Sequence, residues 1–234
     1  MKAIIKRELA GYFHSPSGYV FCAVYLFFSA LYFRAVLLDG RSTQFPQIYD
    51  GMLSIDLLIL PVLTMRLFSE ERRQKTDQIL LTSPVSVFSL VMGKLLSALI
   101  VYGGCTLFTL VYAVVFSAFA SPGWALVLGN VIGALLFGAA FIAVGMFISS
   151  LTESQVVAAI GSFFISTIFI LLDVLPVLIT NQTVLDIIDW VSFVGRYTPF
   201  TEGILDFSSV IFFLSMTALF TFLTMQTVEK RRWS

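Results

Sequence analysis

The residues best suited to chemistry in this sequence form one short charged run. Seven ionisable side chains lie within twelve residues, namely Arg66, Glu70, Glu71, Arg72, Arg73, Lys75 and Asp77. Their chemistry is ionic, since such side chains form salt bridges that set the choice and orientation of a protein partner. Immediately after Lys94 come 58 residues without any Asp, Glu, Lys or Arg. Because each charge costs several kcal/mol in hydrocarbon, the run must project into water between two membrane spans.

The spacing within this run predicts a short amphipathic helix at the membrane surface. The residues at helical spacing are Leu67, Phe68, Glu71 and Lys75. Residues Ile79–Leu81 add an apolar end, and Pro84 ends the helix, with Ser83 as the N-cap of the next one. We expect the apolar side to anchor the helix and the charges to face a partner. The alternative is a solvated loop that only orients the protein.

No nucleotide-binding or catalytic motif accompanies the charged run. The phosphate-loop pattern GxxxxGK[ST] is absent, because Phe88 and Leu95 occupy two of its required positions around Gly93. There is no HExxH, no GxSxG and no Cys/His cluster, and His14 is the only histidine. We therefore expect no catalytic residue, cofactor or metal ion on this chain. The net charge of zero argues against a nucleic-acid partner.

Two acidic residues and two cysteines lie in otherwise apolar segments. Asp56 and Asp173 are candidates for a proton relay, but both lie near predicted span ends, which favours side chains that reach out to the interface. Cys22 and Cys105 fall inside apolar runs, so we expect free thiols within the membrane.

The composition predicts an all-α integral membrane protein. The 234 residues are 58% hydrophobic and only 12% charged, whereas soluble domains carry about 25% charged residues. A span needs about 20 residues to cross roughly 30 Å of hydrocarbon. Six such segments are predicted, at about 17–38, 47–65, 87–116, 124–149, 155–172 and 207–228.

Two further segments are predicted to lie at the membrane surfaces. In residues 1–15, an interfacial helix has one apolar face, with the charges largely on the other face; the apolar residues are Ile5, Leu9, Tyr12 and Phe13. Residues 175–206 are too long for an ordinary connection. We predict two short helices there, divided by Pro199, on the outer side of the membrane. The alternative is a partly ordered external loop.

The distribution of basic residues predicts the orientation in the membrane. Eleven of the 14 Lys and Arg residues fall on the side that holds both termini and the charged run, and three on the other. The eleven are Lys2, Lys6, Arg7, Arg66, Arg72, Arg73, Lys75, Lys94, Lys230, Arg231 and Arg232. Because Lys and Arg accumulate on the cytoplasmic side, we predict cytoplasmic termini.

One stretch carries a family resemblance. The run PVLTMRLFSEERRQKTDQILLTSPVS, Pro61–Ser86, resembles the signature of ABC-2-type transporter permeases and is similar to the GldF-like permeases of gliding motility. Three segments resemble the same family in order: KRELAGYFHSP (Lys6–Pro16), TPFTEGILD (Thr198–Asp206) and EKRRW (Glu229–Trp233). The sequence departs from the family pattern at Asp77-Gln78. At this place the family is expected to have an acidic residue just before the Leu pair.

The resemblance implies a single permease domain, residues 1–234, that works with a separate motor. Two permease subunits, identical or different, would face each other above two cytoplasmic ATPase subunits that bind ATP and Mg. A GldG-like subunit with an external domain is a further implied partner. The complex would export a substrate across the cytoplasmic (inner) membrane. The alternatives are an assembly that transmits force without transport, and, less favoured, a membrane-embedded enzyme.

The resemblance also assigns roles to residues. Segment 66–86 would be the coupling segment, and residues 1–15 the elbow helix at the inner leaflet. Contact with the ATPase is implied for Ser69, Glu70, Glu71, Arg72, Arg73, Lys75, Thr76, Asp77, Leu80 and Leu81. The elbow residues are Ile5, Glu8, Leu9, Tyr12 and Phe13. The substrate pathway is unassigned, although the aromatic and aliphatic spans favour a lipid-like, amphipathic or polymeric cargo.

Overall fold

Helices make up all the regular structure in the described residues. The computed structural model describes residues 1–39, 45, 47–75, 86–119, 121–177, 188 and 192–232. The helices are α1 (Lys2–His14), α2 (Pro16–Asp39), α3 (Gln47–Thr64), α4 (Ser69–Arg73), α5 (Val87–Phe116), α6 (Trp124–Leu151), α7 (Gln155–Val174), α8 (Phe193–Thr201) and α9 (Phe207–Arg232). A 3₁₀ turn, Leu175–Val177, follows α7.

Six of these helices are long and apolar enough to cross a membrane. They are α2, α3 with its continuation to Arg73, α5, α6, α7 and α9. Each of these segments can satisfy its own backbone hydrogen bonds, which is the condition for crossing hydrocarbon. The predicted class, an all-α protein with six spans, is confirmed.

Helix α6 forms the centre of the bundle. It packs against α3, α5, α7, α8 and α9, and its apolar segment is 67% buried, compared with 17% for α7. Glycine permits the closest approach, since a Cβ at Gly138 would collide with the ring of Tyr102 on α5. In the same way, Gly93 on α5 leaves space for Ile4 of α1. The peripheral helices α2, α7 and α9 keep exposed apolar faces, as expected for contact with lipid or another span.

Only the first part of the helix predicted within the charged run falls on described residues. Helix α4 begins at Ser69 but ends at Arg73, with Gln74 as its C-cap. Lys75 has a φ of +54°, in the left-handed region that a right-handed helix cannot continue through. The predicted helix is therefore interrupted at Lys75, and its predicted remainder through Leu81 falls on residues 76–85, which lie outside the described part.

The next span begins at Val87, as predicted. The Oγ of Ser86 accepts a hydrogen bond from the N–H of Ser89 at 3.2 Å, so Ser86 is the N-cap of α5. Ser83 and Pro84, the predicted cap and first helical residue, lie outside the described residues.

Residues 175–206, predicted to be external, hold one α-helix in their described part, and Pro199 lies inside it. Helix α8 is capped by Ser192, and its Phe193, Tyr197 and Phe200 are buried. Pro199 was expected to divide the segment because proline removes a helical hydrogen bond. Packing of the aromatic side chains against α6 and α9 holds the helix together across this residue. The other predicted helix falls largely on residues 178–187 and 189–191, outside the described part.

Candidate functional site

Charged side chains from distant parts of the chain meet at one end of the bundle. We call this cluster the charged junction; its members are Arg7, Glu8, Arg66, Glu70, Glu71, Arg72, Lys94 and Glu153. They come from α1, the α3–α4 connection, α4, the start of α5 and the turn between α6 and α7. The junction therefore joins five parts of the fold through ion pairs.

Lys94 is the buried centre of the charged junction. Its side chain is 1% exposed, and its Nζ lies 3.2 Å from Glu8 and 3.0 Å from Glu71. The ammonium also donates to the carbonyl of Leu67 at 2.6 Å. An ammonium has three protons to donate, so these contacts satisfy the cation. It also lies 5.0 Å from the ring centroid of Phe68, which adds a cation–π contact.

Arg7 completes this buried group from the solvent side. Its guanidinium donates to Glu8 at 2.6 Å and to Glu71 at 2.7 Å. Burial by itself raises the pKa of Glu8, but Lys94 and Arg7 outweigh it and hold the pKa below its ordinary value. A carboxyl group with a lowered pKa stabilises the fold at neutral pH, and this contribution is lost as the pH falls through that pKa.

The end of α6 holds the start of α4. The Oγ of Ser149 accepts from the backbone N–H groups of Phe68 and Ser69, at 3.1 and 3.2 Å. These are among the N–H groups that lack a partner within the helix, so Ser149 caps α4 from another element. Arg72 extends from α4 to Glu153 at 2.8 Å. Helix α4 is thus fixed to α6 and to the turn that follows it.

Arg66 holds the joint between α1 and α2. Its guanidinium donates to the hydroxyls of Ser15 and, at 2.7 Å, Ser17. It also pairs with Glu70 at 2.9 Å and lies 5.3 Å from the ring centroid of Tyr12. One cation therefore connects the α1–α2 joint to the α3–α4 connection.

Several charged side chains of the charged run pair with other residues of the same chain. Its charges were expected to face a partner, but Glu71 and Arg72 are only 17% and 16% exposed and bind residues of this chain. Within α4 and the two residues after it, the outward side chains are Arg73, Gln74 and Lys75. Ser69 is buried. The other predicted contacts, Thr76, Asp77, Leu80 and Leu81, lie outside the described residues.

Helix α1 turns three of the four residues of the predicted apolar face, Ile5, Leu9 and Tyr12, toward the bundle. Tyr12 is buried, and its hydroxyl donates to the carbonyl of Leu63 at 3.0 Å. Glu8 also points into the bundle, toward Lys94, rather than lying with the exposed charges. Ile5 and Leu9 are half-buried, whereas Phe13 is 45% exposed. The inward face carries a carboxylate because Lys94 compensates its charge.

Sequence reasoning missed the role of Lys94 and of Ser149. A signal for Lys94 existed, since an ionisable residue at the edge of a long apolar segment requires a partner. No comparable signal marks Ser149, because serine is common in membrane helices.

A second polar group lies inside the bundle around Asp56. Asp56 is 2% exposed, and its Oδ2 lies 2.8 Å from the hydroxyl of Tyr102. That hydroxyl is also 3.2 Å from the carbonyl of Ala134, while Oδ1 of Asp56 is buried without a hydrogen-bond partner in the described structure. The expectation that Asp56 reaches the interface is wrong, and the side chain of Asp173 lies outside the described part.

We expect Tyr102→Phe to destabilise the protein by about 1–3 kcal/mol, because it leaves the buried carboxyl group of Asp56 without its hydrogen bond. Asp56→Asn should be tolerated better, since an amide oxygen accepts the same bond without a charge. Thermal unfolding of the purified protein in detergent measures both. Equal effects of the two substitutions would contradict this assignment.

The two cysteines face each other between α2 and α5. Their sulfur atoms lie 3.4 Å apart, and both are free thiols. No group of three or more potential metal ligands occurs among the residues that the structure describes.

The fold and the junction define a polytopic helical membrane protein, with six candidate spans and an ion-pair network at one end of the bundle. The chain belongs to the ABC-2 transporter family, because the family model described as ABC-2 family transporter protein matches residues 38–225. It is thus the membrane component, a permease subunit, of an ABC transporter and is not itself catalytic. No curated protein matches the chain.

Proposed function

We propose that this permease subunit couples ATP hydrolysis by a separate cytoplasmic ATPase to export across the membrane. The ATP and Mg would be bound by the ATPase, since the chain has no phosphate loop. The contact surface would be the exposed part of segment 66–86, which begins with Arg73, Gln74 and Lys75.

The charged junction is the observation that supports this proposal. Movement applied to α4 would reach α1 and α5 through Glu71, because this carboxylate binds both Arg7 and Lys94. It would reach α6 and α7 through Ser149 and Glu153. A short helix held at several points by charged hydrogen bonds can act as a rigid lever, since such bonds are stronger and more directional than neutral ones.

We further propose that two permease subunits and two ATPase subunits form the complex. Six spans would supply half of a pathway, and the second half would come from a copy of this chain or a related one. The basic residues support a location in the cytoplasmic membrane with both termini inside. Helix α1 would then lie at the inner leaflet, because it directly precedes the first span.

The GldF-like assignment is a finer proposal and rests on the Pro61–Ser86 resemblance alone. A GldF-like subunit would have a GldG-like partner. This assignment also leads to the second candidate function, which is transmission of force without transport. The charged junction would serve either function. Uptake of substrate into vesicles that contain the purified complex distinguishes them, because a force-transmitting assembly would hydrolyse ATP without uptake.

Reversal of the exposed charges tests the coupling proposal. We expect the double substitution Arg73→Glu and Lys75→Glu to leave folding intact and to weaken ATPase binding by about tenfold, because reversed charges oppose docking. Binding is measured by co-purification of the proposed ATPase subunit with the permease and by titration of the separated subunits.

The matched control is Lys2→Glu with Lys230→Glu, which changes the net charge equally at two other exposed positions. ATPase binding should survive in this control. Normal ATPase binding by the Arg73 and Lys75 variant would show that these residues do not contact the motor.

A further inference from the structure

A groove with one polar and one apolar end runs along the surface of α3 and α7. Its polar end is a cavity of about 390 Å³ whose lining includes Ser15, Ser17, Arg66, Glu70 and Gln155. Its apolar end is a cavity of about 370 Å³ whose lining includes Leu58, Ile160, Phe163 and Phe164. Val62 lines both cavities, so the two ends adjoin.

The dimensions of the groove match one leaflet of a membrane. Along α7 it extends from Gln155 to Thr167, which is about 18 Å at 1.5 Å per residue. One leaflet contributes about 15 Å of hydrocarbon. The polar end lies at the joint where α1 ends and the first span begins. A lipid in the groove would thus place its headgroup beside the joint and an acyl chain between α3 and α7.

The polar end offers both signs of charge to such a headgroup. Arg66 and Glu70 lie 2.9 Å apart and are partly exposed, and two serine hydroxyls border the same guanidinium. A guanidinium fork and hydroxyls bind phosphate, whereas a carboxylate accepts hydrogen bonds from an ammonium group. An anion alone would meet repulsion from Glu70, and a cation alone would meet repulsion from Arg66.

We propose that this groove binds a phospholipid with a primary ammonium headgroup, such as phosphatidylethanolamine. The phosphate lies on Arg66, Ser15 and Ser17. The ammonium lies on Glu70, and one acyl chain lies along the apolar end. This binding does not depend on the ATPase, so it can hold or fail independently of the coupling function.

Native mass spectrometry of the purified, detergent-solubilised protein tests the proposal with three lipids of identical acyl chains. Phosphatidylethanolamine should bind about tenfold more tightly than phosphatidylcholine, whose quaternary ammonium has no N–H to donate, and than phosphatidylglycerol, which has no cation. Glu70→Gln should remove this preference while the other two lipids still bind. Val62→Trp should weaken binding of all three, because it fills the junction of the two cavities.

Two controls keep this test decisive. Lys230→Gln removes an exposed charge that does not line the groove and should change nothing, and thermal unfolding of each variant shows whether it remains folded. Equal binding of the three lipids, or a preference that survives in Glu70→Gln, would overturn the proposal. Efficient cross-linking of two copies through Phe164→Cys in native membranes would also overturn it, because a second permease would then occupy the groove.

Discussion

Replacement of Lys94 by methionine should reduce the free energy of unfolding by about 3–5 kcal/mol, the range found when one partner of a buried ion pair is removed. The side chain of Lys94 is 1% exposed and lies between the carboxylates of Glu8 and Glu71. Methionine has a similar length, so little packing changes. Its introduction leaves two largely buried carboxylates with Arg7 as their remaining cation in the described structure, and the carbonyl of Leu67 loses its donor.

Thermal or denaturant unfolding of the purified protein in detergent measures this loss. Lys75→Met is the matched control, because Lys75 is exposed and should contribute little. Addition of Glu8→Gln to Lys94→Met should restore part of the stability, since it removes one of the two carboxylates that Lys94 neutralised. Wild-type stability of the single Lys94 variant would show that the buried ion-pair group does not form.

Exchange of the neighbouring charges, Glu71→Lys with Arg72→Glu, should also impair folding. The sequence alone predicts the opposite, because the exchange preserves the net charge and the count of basic residues, so only partner binding should change. In the structure, a lysine at the first position would lie beside Lys94 and Arg7, and a glutamate at the second would face Glu153. The exchange therefore replaces attractive ion pairs by repulsion between like charges. We expect the free energy of unfolding to fall by about 3–5 kcal/mol.

The measurement is the melting temperature and the yield of monodisperse protein, determined before any ATPase is added. The Arg73→Glu and Lys75→Glu variant is the control, because both side chains are exposed and the fold should tolerate their reversal. If the exchanged variant melts like the unaltered protein but loses the ATPase, then Glu71 and Arg72 contact the partner after all.

Local composition was sufficient to predict the spans. Each apolar segment must satisfy its backbone hydrogen bonds within itself when it crosses hydrocarbon. The helical state of α2, α5 and α9 therefore follows from length and hydropathy without knowledge of the neighbours. The end of α4 did not follow, because Arg73 and Lys75 carry no local stop signal. The helix ends there in the structure through a backbone conformation at Lys75 that lysine rarely adopts.

The sequence by itself determined the six-span class, the excess of basic residues on one side and the position of the charged run. Only the tertiary structure decided what those charges bind. Lys94 and Glu8 are 86 positions apart in the chain, and Arg72 and Glu153 are 81 apart. The local spacing of a charged run is the same whether its side chains bind another protein or their own chain. The choice depends on which helices pack side by side, and this packing brings Glu71 to Lys94.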